Sequence, residues 1–255
     1  MQVLTFDLVG KMAHFRKYYA NNTAMSFSVP PRTTLMGVLA AILGFPRDSY
    51  YEALASEHLR LGVGLCTPIK KSFHRLNFLK VESSRDLDGS KGHIQLPFEV
   101  ISGYDLARDT VRYRVYVTPT ATGEVVFGQL VERVLGGSGP HFALSLGTAN
   151  FTASLLDGQL HEQARTGSSD EVQDFHSTVP TERVVTLPVT REDGGSLSLE
   201  EELLPADFVG DGQRELRAMN RVLFSTDGQP LRARLRGEYV EIGDGNETQR
   251  LLFLE

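Results

Sequence analysis

The sequence predicts an α+β fold: a ferredoxin-like (RRM-type) βαββαβ domain, with a hairpin insertion at about 67–110 and a β-rich C-terminal extension. Three observations carry this. Residues 2–9 and 111–118 alternate apolar and polar side chains, the period of a half-buried strand. Leu35, Val38, Leu39 and Ile42 recur at the i, i+3, i+4, i+7 spacing of a helix. The periodic segments then follow in the order strand, helix, strand, strand, helix, strand.

Taken in order, the first strand faces Leu4, Phe6 and Leu8 inward, and a polar, aromatic loop runs from Gly10 to Val29. Pro30-Pro31 opens the first helix and Gly44 closes it. Ser49 and Glu52 form a capping-box pattern, predicting a short helix over 49–58. Residues 59–66 read as a strand, and 67–110 lack a clean period, which reads as an insertion. In 111–118, Val111, Tyr113, Val115 and Val117 share one side. Phe127, Leu130, Val131 and Val134 give a helix over 123–135, ended by Gly136-Gly137. After a glycine-rich loop, 149–156 reads as a strand with Phe151, Ala153 and Leu155 inward. In such a fold both helices cover one face of an antiparallel sheet, leaving the other free to bind.

The core domain is therefore expected over 1–156 and the extension over 157–255. Within the extension, 157–182 reads as a polar insertion, and strands are expected at 183–189, 220–225, 231–236, 238–242 and 250–254. Asp227-Gly228 and Asp244-Gly245 are hairpin signals. Glu200-Glu201-Glu202 reads as an acidic surface segment.

The chain has 255 residues, 41% hydrophobic and 23% charged, which excludes collagen and disordered classes. A lone cysteine, Cys66, cannot form an internal disulfide. The N-terminus lacks a signal-peptide pattern and the longest apolar run is too short for a membrane span, so the expected setting is the cytoplasm. A net charge of −6 conceals an asymmetry. Residues 1–114 carry 15 basic and 10 acidic side chains, a balance of +5, whereas 115–255 carry 11 and 22, a balance of −11. Either a polyanion-binding face in the first half or a chance clustering on solvated surface gives this pattern.

Four groups of residues suit nucleic acid. His14, Phe15, Arg16, Lys17, Tyr18 and Tyr19 interleave cations for phosphates with rings for unpaired bases; an ordinary loop packed on the core reads the same. At Pro30-Pro31-Arg32-Thr33-Thr34, free amides at a helix start meet the Arg32 guanidinium and the Thr33 and Thr34 hydroxyls, an anion-site pattern. Plain capping is the equal alternative. If Arg32 holds RNA, Arg32→Ala loses binding and spares the fold. Lys70, Lys71, His74 and Arg75 form a second basic cluster, and taken alone such a cluster is most often solvated surface. The Gly136-Gly137-Ser138-Gly139 loop lets a backbone approach phosphate, although it follows a helix and so is not a dinucleotide fingerprint. The seven histidines show no metal-ligand pairing, and no cofactor motif is present.

The run A-H-F-R-K-Y-Y at 13–19, S-F-S-V-P-P-R-T-T-L-M-G-V-L-A-A-I-L-G at 26–44 and R-D-S-Y-Y-E at 47–52 resembles CRISPR-associated proteins of the RAMP superfamily. The resemblance is to the Cascade subunit that caps the crRNA 5′ handle, in the subtype I-B branch. It is dense over 1–75 and looser beyond. It implies a ferredoxin-like domain whose insertion is a β-hairpin thumb, and a non-catalytic, metal-free role in antiviral defence. The implied partners are the crRNA handle, the Cascade backbone subunit, the large PAM-reading subunit and target DNA near the PAM. Handle contacts would fall on Phe15, Arg16, Lys17 and Arg32, with Gly136–Gly139 as further candidates. A sister branch, subtype I-C, uses this subunit as a metal-independent endoribonuclease processing precursor crRNA through Tyr, Lys and His. Here the nearest counterparts are Tyr50 or Tyr51, Lys91 and His93, where Lys and His are not adjacent.

Overall fold

A computed structural model describes residues 1–20, 22–188, 190, 198–209, 214–243, 245 and 248–255. The central sheet runs in the order Leu59–Leu65, Val111–Pro119, Val3–Gly10, Thr152–His161, Leu144–Ser145, with every neighbouring pair antiparallel. Helices α1 (Arg32–Leu43) and α2 (Glu124–Leu135) join Leu4, Phe6 and Leu8 in one core. Alternation in the first strand explains this: odd positions such as Thr5 and Asp7 face away from the helices. Gly44 ends α1 in the left-handed region at φ 86° and returns its N–H to the Ala40 carbonyl at 2.8 Å. Each fully buried apolar side chain of α1, such as Leu39 and Ile42, contributes about 1.5–3 kcal/mol.

The insertion is a hairpin, Lys70–Leu79 paired with His93–Ser102, in register from Lys70↔Ser102 to Leu79↔His93. Ten paired residues make a projection of about 30 Å.

Five expectations need correction. Residues 49–58 form turns and no helix, because Ser49 Oγ donates to the Pro46 carbonyl (2.8 Å) and caps nothing. The strand expected to stop at 156 continues through the 156/157 boundary to His161, and 157–182 carries three further short strands. The Glu200–Glu202 segment lies in a strand, Leu199–Phe208, packed on α1, with Glu202 only 5% exposed. Asp227-Gly228 forms a tight turn that joins two sheets, since Leu216–Ser225 pairs with Leu199–Phe208 while Leu231–Leu235 pairs elsewhere.

The fifth concerns the sheet face away from the helices, which is partly covered. Val3, Tyr116, Ala164, Ile242 and Leu251 form a small core there. Gly62 and Gly64 point outward, and a Cβ at either would strike the Leu252 or His176 carbonyl. The edge strand is capped by Leu254 N–H donating to Leu61 O and Thr178 N–H to Val63 O, both at 2.7 Å. Residue 189 of the expected 183–189 strand and Asp244 of the Asp244-Gly245 signal lie outside the described residues.

Candidate nucleic-acid interface

On the helix side a groove of about 660 Å³ opens where the 14–18 loop, the start of α1, the 143–148 loop and the C-terminal hairpin meet. It gathers His14, Phe15, Arg16, Tyr18 and Thr33 from the expected set. The loop holds its place through short pairings: Phe15–Arg16 with Ser26–Phe27, and His14 N–H to Leu146 O at 3.0 Å. Gly147, at φ 95°, is required there, because a Cβ would strike the His14 carbonyl. Pro31 precedes α1 and Thr34 N–H turns back to the Pro31 carbonyl at 2.9 Å. The first-turn amides of Arg32 and Thr33 therefore have no intrahelical acceptor.

Within this frame the expected residues divide. Arg16 and Tyr18 are exposed, and Arg16 is steadied by the Ala20 carbonyl at 3.0 Å. Phe15 belongs to the core, edge-on to Tyr113 at 5.5 Å. His14 is 1% exposed, stacks on Phe98 at 3.9 Å and binds the Glu99 carbonyl through Nδ1 at 2.7 Å. That carbonyl can only accept, so Nδ1 carries the proton. Burial lowers the His14 pKa, so the ring is neutral.

Arg32 does not reach the groove as a phosphate contact. It is 1% exposed, pairs with Asp207 (3.2 Å) and Glu255 (3.0 Å), and donates to the Leu54 and Leu59 carbonyls. Every donor direction of the guanidinium ends on protein. Lys17 and Lys71 are likewise committed. Lys17 sits 3.0 Å from Glu202 and over the Phe27 ring; Lys71 reaches Glu200 (2.7 Å) and Glu202 (3.3 Å). Burial opposes the Lys17 charge, but Glu202 outweighs it and the lysine holds its proton more tightly than usual. Burial also pushes the Glu202 carboxyl up, against the pull of Lys71.

Lys70, His74 and Arg75 lie on the hairpin, outside the groove. Lys70 donates to the Tyr104 carbonyl (2.9 Å), and His74 pairs with Ser72 at 3.0 Å. Gly136, Gly137, Ser138 and Gly139 also lie outside it. Gly137 and Gly139 adopt φ 76° and 66° with open space around each, so their glycines serve the turn after α2.

Thr34, part of the expected Pro30–Thr34 pattern, lines the groove, and residues that sequence reasoning did not place here complete the wall: Tyr50, Tyr51, Ser145, Phe208 and Arg214. Arg214 bonds Asp48 Oδ1 through Nε (2.9 Å) and Nη2 (2.8 Å), and meets the Tyr51 hydroxyl at 3.0 Å. Burial and Asp48 push the Tyr51 phenol up to about 12, so it stays a donor. Hydrogen bonds from Tyr51 and Arg214 hold the Asp48 carboxyl below its ordinary range. Nothing near Arg214 in the chain signals this; strand pairing across 199–225 delivers it. Among the described residues no group of three or more His, Cys, Asp or Glu is placed to hold a metal.

Fold and groove together define a mixed, mostly β protein with two α-helices among the described residues. A crystal structure of a CRISPR protein from Archaeoglobus fulgidus is similar over 98% of both chains, with a TM-score of 0.54 at 12% identity. A chain of a CRISPR RNA-guided surveillance complex covers 91% of this chain with 90% of its own, at TM-score 0.47 and 15% identity. No curated protein sequence matches. The family described as CRISPR-associated protein (Cas_Cas5) matches residues 3–184. The chain belongs to the CRISPR-associated Cas5 family.

Proposed function

We propose that this protein is a crRNA-binding subunit of a type I Cascade surveillance complex that holds the 5′ handle without cleaving it, in the subtype I-B branch. One observation carries the reading: exposed Arg16 and Tyr18 share one open groove with Thr33, whose first-turn amide has no acceptor within α1. Phosphates suit the cation and the amide, and unpaired bases suit the rings. The strand order and its two helices support a ferredoxin-like module, with the projecting hairpin as its thumb. Family membership supports the Cascade backbone subunit, the large PAM-reading subunit and target DNA near the PAM as the further partners. A cytoplasmic setting goes with that role; no helix among the described residues is long and apolar enough to cross a membrane.

The rival reading is the metal-independent endoribonuclease. Against it, His93 and Lys91 lie at the far end of the hairpin, where Lys91 pairs with Glu82 (2.8 Å) and Asp86 (3.2 Å). Tyr50 and Tyr51 line the groove instead. Titration of the protein with labelled handle RNA tests the proposal: Arg16→Ala is expected to weaken binding by tenfold or more with the fold intact. Unchanged affinity would contradict it.

A further inference from the structure

The sheet face opposite the groove carries a second pocket, of about 350 Å³, that the handle reading does not use. Gln159 and His161 from the strand Thr152–His161 form one side. His176, Ile242, Thr248 and Gln249 of the extension form the other. The volume lies at the lower end of small-ligand sites.

Its hydrogen-bond chemistry follows from its neighbours. Thr5 Oγ1 lies 3.4 Å from the Gln159 carbonyl, which takes its single proton, and 3.3 Å from His161 Nε2. His161 Nε2 must then carry hydrogen, leaving Nδ1 as an acceptor. The Arg250 amide donates to His176 Nδ1 at 3.3 Å, which leaves Nε2–H as a donor. Burial, then the charge of Arg114, lowers the His161 pKa, and burial chiefly lowers that of His176, so both rings are neutral. The two side-chain amides add donors and acceptors. The cations nearby are occupied: Arg114 holds Asp7 at 2.8 Å and Arg250 holds Glu241 at 3.0 Å. Among the described residues that line it, the site therefore offers a mixed donor and acceptor set without a charged side chain. Among the described lining residues, phosphate finds no cation and a metal finds two imidazoles without a carboxylate, the nearby Asp174 acting on His176 only through its charge.

We propose that this pocket binds the hydrogen-bonding edge of an unpaired nucleobase, away from the groove that holds the handle backbone. The uncharged, alternating edge of a base matches a mixed neutral set, and an antiparallel sheet face is a surface on which other RNA-binding modules receive bases. The choice of a nucleobase among neutral polar ligands rests on the nucleic-acid reading above.

The test titrates the full chain with adenosine, guanosine, cytidine and uridine while following the histidine ring C–H signals by NMR. Seven histidines give the reporters, and His161→Gln, which keeps a donor toward Thr5, assigns one of them. Saturable shifts confined to His161 and His176 with at least one nucleoside are expected, weakened at least tenfold in Gln249→Ala. No shift with any nucleoside, shifts centred on His14 at the groove, or an unchanged response in Gln249→Ala would each overturn the proposal. Nucleosides carry no phosphate, so handle binding can persist when this pocket fails, and the pocket can respond when handle binding fails.

Discussion

Arg32 Nη1 lies 3.2 Å from Asp207 Oδ1, joining residues 175 positions apart, with each side chain 3% exposed or less. The same guanidinium reaches Glu255, so a single cation ties the start of α1 to the last long hairpin and to the final residue. Removing one partner of a buried pair costs about 3–5 kcal/mol. Arg32→Ala is therefore expected to lower unfolding free energy by that amount in chemical denaturation. A fold left intact, as the phosphate-contact reading required, would contradict the burial argument.

The same cluster makes stability pH-dependent. Arg32 faces two carboxylates, and burial pushes Glu255 from 4.5 up to about 7 against the pull of that arginine. The folded state thus keeps a proton that the unfolded chain releases. The contribution is complete below about pH 4.5 and is lost as pH rises to about 7. Glu255→Gln is expected to flatten the denaturation midpoint across that window. An equally steep decline in the variant would assign the effect to other groups.

Two glycines separate fold from tolerance. Gly64→Ala forces a Cβ into the His176 carbonyl and is expected to destabilise by several kcal/mol, about 3 or more. Gly128 lies on an exposed turn of α2 with open space where a Cβ would stand, so Gly128→Ala is expected to stabilise by about 0.5–1 kcal/mol. Thermal melts of the two variants should move in opposite directions.

Much of the central sheet and both helices were legible because short-range signals decide them: strict alternation, a double proline, a closing glycine. The hairpin was legible as an interruption of period. The 49–58 turn was misread because Ser49 found an acceptor in Pro46 before it could cap a helix. The site was harder, since sequence shows which residues carry charge and not where those charges end. Arg32, Lys17 and Lys71 belong to the +5 half, yet all three are neutralised by Glu200, Glu202, Asp207 or Glu255 from the −11 half. Much of the asymmetry read as an RNA face is thus internal pairing between the two halves. Arg16 and Tyr18 remain as the part of that block left open to a ligand, and Arg214 joins them only through long-range pairing.

Cleavage separates the two functional readings. Precursor crRNA incubated with the protein in EDTA is expected to remain whole, with His93→Ala indistinguishable from the parent on a denaturing gel. Specific cleavage abolished by His93→Ala would establish the endoribonuclease.

The central claim is that the groove holds an RNA backbone, and its salt dependence tests this most directly. Affinity for single-stranded handle RNA, measured by fluorescence anisotropy over a range of salt, should fall by about 0.7 log unit per log unit of salt for each phosphate held. Arg16→Ala should reduce that slope by about 0.7 while leaving the fold unchanged. A flat salt response, or the same slope in Arg16→Ala and the parent, would contradict the account.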